Sequence, residues 1–425
     1  MPLTNRVPSR VVRLISALGC TALAAAVLAG CSADSGKTTL EIESAYPTGS
    51  TLLESLESVA SAYEAEHPDV DFNIVPAGSD FEARMKARLA ANNVPDLMNT
   101  HGWSRDRYSQ FLRPLQDRPW NADVDATLDP AMRTGDGSIF ALPMDVDVSG
   151  ILYNEQVLKD AGVEISSLAT WEGFDRALER IESSGVVPIT VSGKALDAQA
   201  ALIDWMAPGK FTAEELSALQ NGKFQDTPYR SVLEHIDRWA KAGYFNPDIS
   251  SASLTDVAAS IGAGKTAFIF TGTYTAADAF VSYPNAQIGY IPIPSDTGKN
   301  YLIGGEQNAF GVGKTSPNQD IALDFLAFLA KPENVSKMNQ AAGTPSGLKS
   351  VPTDVGPLQQ SYEQWVVEGK TPLQPFFDRA DLPGGMWQTM AATTDSIITQ
   401  QGDVAQALDQ VRQQFDSLYA QANGK

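Results

Sequence analysis

The chain has 425 residues, 43% of them hydrophobic, with 51 acidic against 31 basic side chains and a formal net charge of −20. So acidic a surface repels phosphate backbones and anionic lipid heads, which argues against nucleic-acid binding and against broad electrostatic contact with a membrane. Three widely spaced histidines and two cysteines do not make a transition-metal site, so neither a metal nor a cofactor is expected.

Arg6, Arg10 and Arg13 precede any acidic residue, and Leu14 to Gly30 is a small, apolar run. It is too short and too rich in small residues to be a comfortable membrane span, and reads as a signal peptide over residues 1–30. Leu28-Ala29-Gly30-Cys31 resembles the lipobox of bacterial lipoproteins. The resemblance implies diacylation of Cys31, which becomes the new N-terminus; the alternative is an ordinary secretory signal and a released protein. Two acyl chains make a stable anchor where one is marginal, so membrane attachment through the lipid alone is expected, on the outer face of the cytoplasmic membrane. Cleavage takes three arginines and no acid, leaving 28 basic against 51 acidic residues and a net charge of −23. With Cys20 lost and Cys31 acylated, no disulfide is available and the exported body relies on its core. Residues 31–37 form a tether. The remainder exceeds what one core usually organises, so two lobes are expected.

Leu40 to Ser44 alternates like a strand and breaks at Tyr46-Pro47-Thr48-Gly49. Leu52, Leu56, Val59, Ala60 and Tyr63 then recur at helical spacing, with Thr51 and Glu54 as a capping box. Val70, Phe72 and Ile74 predict the next strand, Asp80 to Asn92 a helix, Pro95 to Asn99 a buried strand, and Ser104 the start of another helix. Alternating strands and helices predict a parallel sheet with ligand groups beyond the strands' carboxyl ends, where Tyr46, Thr48 and Trp103 fall. Further on, Ile139 to Pro143, Gly150 to Tyr153, Pro188 to Val191, Ala267 to Phe270, Ile288 to Pro294 and Tyr301 to Ile303 read as strands. Trp171 to Ser183, capped by Thr170, Glu214 to Gln220 and Tyr229 to Ala242 read as helices, and the chain is mainly helical from Asn318.

Several motifs come in a telling order: Gly137 to Pro143, then Asp145, Asp147 and Leu152-Tyr153-Asn154; Leu158 to Gly162 with Thr170-Trp171-Glu172; Gly264 to Phe268 with Gly272-Thr273-Tyr274; and Asp320 to Leu329, Pro332-Glu333 and Gly343-Thr344-Pro345. Together they resemble, over nearly the whole mature chain, the extracellular solute-binding proteins of sugar-importing ABC transporters, the family 1 group that includes maltose-binding protein. Tyr274 stands where that family usually has tryptophan. The resemblance implies a periplasmic-binding-protein-like type II α/β fold, with two α/β lobes, a ligand cleft and three hinge crossings near residues 147, 303 and 347. It places the N-terminal lobe at 38–146 and 305–345 and the C-terminal lobe at 150–302 and 349–425. It further implies a monomeric carrier that hands a carbohydrate to membrane permease subunits.

A pyranose offers flat C–H faces and a rim of hydroxyls, so its site needs aromatic planes and a few fixed polar groups. Trp103, Trp205, Tyr274 and Trp387 are the stacking candidates, each face contributing roughly 1.5–3 kcal/mol on burial. Trp171 and Trp239, on amphipathic helices, are expected in the core. Carboxylates accept hydroxyl hydrogens in charge-assisted bonds; Asp145 and Asp147 are two apart on a crossing strand and share a face. By the resemblance, Asp147, Tyr274 and Trp387 match positions that contact sugar. Glu306 follows Gly304-Gly305, where absent side chains let a ligand approach Gly305. Tyr46, Thr48 and Asn308 complete the expected ligand set, with Asp80, Lys194 and Arg379 as weaker candidates. No catalytic residue is expected. Close-set aspartates also suit a glycoside hydrolase, and the same fold would carry a polyamine or a glycerophosphodiester, so these remain the alternatives to an oligosaccharide. Gly264-Lys265-Thr266 and Gly313-Lys314-Thr315 are not phosphate loops, since Ala259 and Asn308 stand where the first glycine is required.

Overall fold

Strand Thr38–Pro47 opens the first lobe of a computed structural model that describes residues 36–78, 81–100, 105–194, 197–422 and 424. Leu40 and Ile42 are fully buried, and so is Glu43. Glu43 is answered by Arg84 at 2.7 Å and Arg88 at 2.8 Å, which stand four apart on helix Phe81–Ala90 and therefore share a face. The sheet runs in the order Val70–Ala77, Thr38–Pro47, Leu97–Thr100, Ala309–Val312, Leu142–Pro143. Its first three strands are parallel, as the β-loop-α spacing predicts. Ala309–Val312 runs antiparallel to both neighbours because it re-enters the sheet from the other lobe, which turns the expected parallel sheet into a mixed one.

Helix Thr51–Glu66 covers this sheet with Leu53, Leu56, Val59, Ala60 and Tyr63 buried, one apolar stripe at three- and four-residue steps. Its cap lies one residue earlier than the Thr51–Glu54 box predicts: the Ser50 hydroxyl accepts from the Leu53 amide. Helices Gln319–Leu329 and Pro332–Ala342 close the lobe.

The second sheet has the order Val187–Ile189, Thr266–Ile269, Ile151–Asn154, Ile288–Ile291 and is also mixed, parallel only between its first two strands. Helix Trp171–Ser183 starts where the Thr170 hydroxyl accepts from the Gly173 amide. It packs with helices Asp226–Lys241, Trp387–Ile398 and Val404–Ala422 in one apolar core. Trp171 and Trp239 are buried in that core, as their helical spacing implies.

Between the two sheets lies a third: Leu373–Gln374, Leu302–Gly305 and Asp147–Ser149. Asp147 pairs with Gly305, and Asp145 bridges Ser346 alongside, so three segments of chain pass side by side. At Gly150 a Cβ would stand 2.2 Å from the Ile291 carbonyl oxygen, which is why this turn from crossing to lobe has no side chain. Among the described residues no helix is long and apolar enough to cross a membrane.

Candidate functional site

Where the crossings meet the second lobe there is a cavity of about 200 Å³. Asp147 and Gln307 reach it from the crossings, Trp205 from helix Asp197–Met206, Tyr274 from the start of helix Tyr274–Ser282, and Phe376, Arg379 and Trp387 from the C-terminal segment. Trp205 and Phe376 meet edge to face at 5.9 Å, which fixes two aromatic walls at a large angle. The Arg379 guanidinium lies 3.7 Å above the Phe376 ring and donates to the Glu306 carbonyl at 3.2 Å. The Tyr274 phenol is held by Thr271 at 3.1 Å.

Asp147 contributes a carboxyl group to the lining of this cavity. It is 1% exposed; its Oδ1 accepts from the Ser149 hydroxyl at 2.5 Å, while its Oδ2 has no hydrogen-bond partner. Burial pushes the carboxyl up to about 7, against the pull of Ser149; the Asp145 charge adds to the rise and Arg379 opposes it. A buried oxygen with free lone pairs is costly unless a donor meets it.

Asp145 does not share that role. Its carboxylate accepts from the Asn308 amide at 2.8 Å, the Asn308 side chain at 2.5 Å and the Thr344 hydroxyl at 3.2 Å. It therefore ties three chain segments at the hinge, and Asn308 is consumed with it. Burial lifts its pKa to about 6 although these bonds pull it down. Of the other expected residues, Tyr46 is buried edge-on to Phe310 at 6.1 Å, Gly305 and Glu306 stand at the crossing beside the cavity, and Lys194 is exposed. Thr48 lines a second, larger cavity of about 460 Å³ between residues 47–54 and 253–282, which meets the first at Leu254 and Tyr274. Trp103, Asp80 and Cys31 lie outside the described residues. The structure thus gathers Asp147, Trp205, Tyr274 and Trp387, and adds Phe376 and Gln307, which sequence reasoning passed over. The run Pro375-Phe376-Phe377-Asp378-Arg379 carried the missing signal, an aromatic pair beside a charged pair in a segment otherwise read only as helical.

Residues 49–336 match the family model described as bacterial extracellular solute-binding protein. The chain belongs to this family. This solute-binding protein is 31% identical over 418 residues to the melibiose/raffinose/stachyose-binding protein of Bacillus subtilis, covering 93% of this chain and 96% of that one. Its fold matches that of a sugar transporter from Bacillus licheniformis solved in complex with stachyose, with a TM-score of 0.82 and 28% identity over 90% of this chain and all of that one. A raffinose-bound binding protein, 17% identical over 90% of this chain and all of that one with a TM-score of 0.76, shares the fold. The family consists of substrate-binding proteins of the type II periplasmic fold.

Beneath the cavity of the solute-binding protein a second acidic pair is buried. The Asp378 amide donates to Asp204 Oδ1 at 2.8 Å, and Asp204 has no exposed surface. Burial, reinforced by the Asp378 charge, pushes Asp204 well up, and burial also raises Asp378. The bond ties the Trp205 helix to the Phe376–Arg379 segment, so both cavity walls rest on it.

Proposed function

We propose that this protein captures an oligosaccharide of the raffinose and stachyose class outside the cell and delivers it to the permease of an ABC importer. The cavity carries the reading: Trp205, Tyr274, Phe376 and Trp387 line it together with Asp147, whose Oδ2 is unpartnered, the combination of aromatic planes and a fixed acceptor that a pyranose with C–H faces and outward hydroxyls requires. The relatives named above support the sugar class. Arg379 in the cavity wall sets it against polyamines. The ligand set comprises Asp147, Trp205, Tyr274, Gln307, Phe376, Arg379 and Trp387, with Thr48, Gly305 and Glu306 at its edges. The lobes are residues 38–146 with 305–345 and residues 150–302 with 349–425, so that closure brings the first against a sugar seated mainly on the second.

Calorimetry on the purified protein tests this with melibiose, raffinose, stachyose, maltose, spermidine and glycerophosphocholine. Raffinose or stachyose is expected to bind at micromolar concentration or below and to be recovered intact, as for a carrier rather than a hydrolase. Heat from spermidine or glycerophosphocholine with none from any saccharide overturns the reading.

The protein acts as a monomer tethered through diacylated Cys31. Cys31→Ser is expected to move it from the membrane fraction to the medium; equal membrane retention of the variant, after a carbonate wash, rules the lipid anchor out.

A further inference from the structure

The wall of the larger cavity holds a contact that the ligand site does not need. Helix Thr51–Glu66 of the first lobe begins with Thr51, whose hydroxyl stands 3.2 Å from Asp278 Oδ1 and 3.0 Å from the Ala341 carbonyl. Asp278 lies on helix Tyr274–Ser282 of the second lobe, one turn from Tyr274. Its carboxyl also faces the Thr51 backbone amide, the first unsatisfied donor of a helix whose positive dipole end points at it. Nearby, the Thr273 hydroxyl donates to the Ala342 carbonyl at 3.4 Å. The same side chain thus joins the element that carries Tyr274 to the far lobe.

We propose that Asp278 is a positioning residue: with Thr51 it latches the two lobes together and thereby sets how long a bound saccharide stays. The inference rests on the function proposed above. A ligand that needs the closed arrangement binds with an affinity scaled by the fraction of closed molecules, so a latch acts on release more than on encounter. The latch is partly buried and made of one hydroxyl, one carboxyl and one helix end, a set in which the carboxyl meets both of the others.

Two variants read it. Asp278→Ala removes the acceptor; Thr51→Val keeps the shape and removes the hydroxyl. Stopped-flow tryptophan fluorescence is expected to show raffinose dissociating about 10-fold faster from each, equivalent to about 1.4 kcal/mol, with association changed less than about two-fold. Because Thr51→Val removes part of what Asp278→Ala removes, the double variant should lose no more than Asp278→Ala alone. Dissociation at the wild-type rate, or losses that add, overturn the latch.

A second readout does not depend on saccharide. With Cys20 and Cys31 replaced by serine, the chain has no other cysteine, so spin labels at Glu57→Cys and Glu234→Cys, both exposed, report lobe separation. The latch variants should shift the distance distribution toward longer values, with or without raffinose. Identical distributions in all three proteins overturn the proposal. If the wild type binds no saccharide, the functional reading falls while this measurement still decides the latch.

Discussion

Asp147→Ala is expected to weaken raffinose binding by about 10- to 100-fold, the loss of one hydrogen bond to a charged acceptor of about 1.5–3 kcal/mol. The loss should be in enthalpy and dissociation rate, since the side chain is only 1% exposed. Asp147→Asn separates shape from charge. The folded carboxyl holds its proton to about 7 whereas the ordinary value is 3.8, so the unfolded chain ionises first as pH rises. Folded stability contributed by this group is present below pH 4 and is lost as pH climbs through 7, by about 4 kcal/mol in full. The asparagine variant should therefore melt higher than wild type at pH 8, with the gap closing toward pH 4. Sugar hydroxyls donate best to the ionised form, so wild-type raffinose affinity should rise several-fold from pH 6 to pH 8 and that of the asparagine variant stay flat. A flat wild-type profile, or a melting gap that widens on acidification, would show that Asp147 is not the acceptor that burial makes it.

Glu43→Ala is expected to lower the free energy of unfolding by about 3 kcal/mol, seen as a shift in the urea midpoint. Both Glu43 oxygens are engaged, with Arg84 and Arg88 at 2.7 and 2.8 Å, and the carboxylate is wholly buried. Breaking such a pair by removing one member costs about 3–5 kcal/mol, because the partner charges lose their compensation. Arg84 and Arg88 retain 27% and 16% side-chain exposure, and Arg88 keeps Glu41 at 2.7 Å. That places the effect at the lower end. The exposed pair of Arg412 with Asp226, at 36% and 51% exposure, provides the contrast: Asp226→Ala should cost under about 1 kcal/mol. Equal shifts for the two substitutions would mean that burial does not decide the strength of these pairs.

How much was readable beforehand divides along a physical line. Local periodicity is written in one stretch of chain, so Leu52 to Tyr63 named one helix, Thr170 named the start of helix Trp171–Ser183, and Trp171 and Trp239 named themselves as core. The ordered motifs from Gly137 to Pro345 carried the family, and with it the type II α/β fold, because spacing between fixed glycines, prolines and aromatics survives in the sequence. Strand direction did not, since Ala309–Val312 turns antiparallel only on returning across the hinge. Side-chain duty was equally hidden. Asp145 and Asp147 look alike two positions apart, yet one is saturated by Asn308 and Thr344, more than 160 residues away, and the other keeps a buried oxygen unmet. Phe376, Arg379 and Asp278 gain their roles from neighbours far along the chain. The order of residues by itself determined which elements form and which family they compose. Only tertiary packing decided which carboxylate keeps an unmet oxygen in the cavity lining, because desolvation and hydrogen bonding are set by what surrounds a group in space rather than by what adjoins it in the chain.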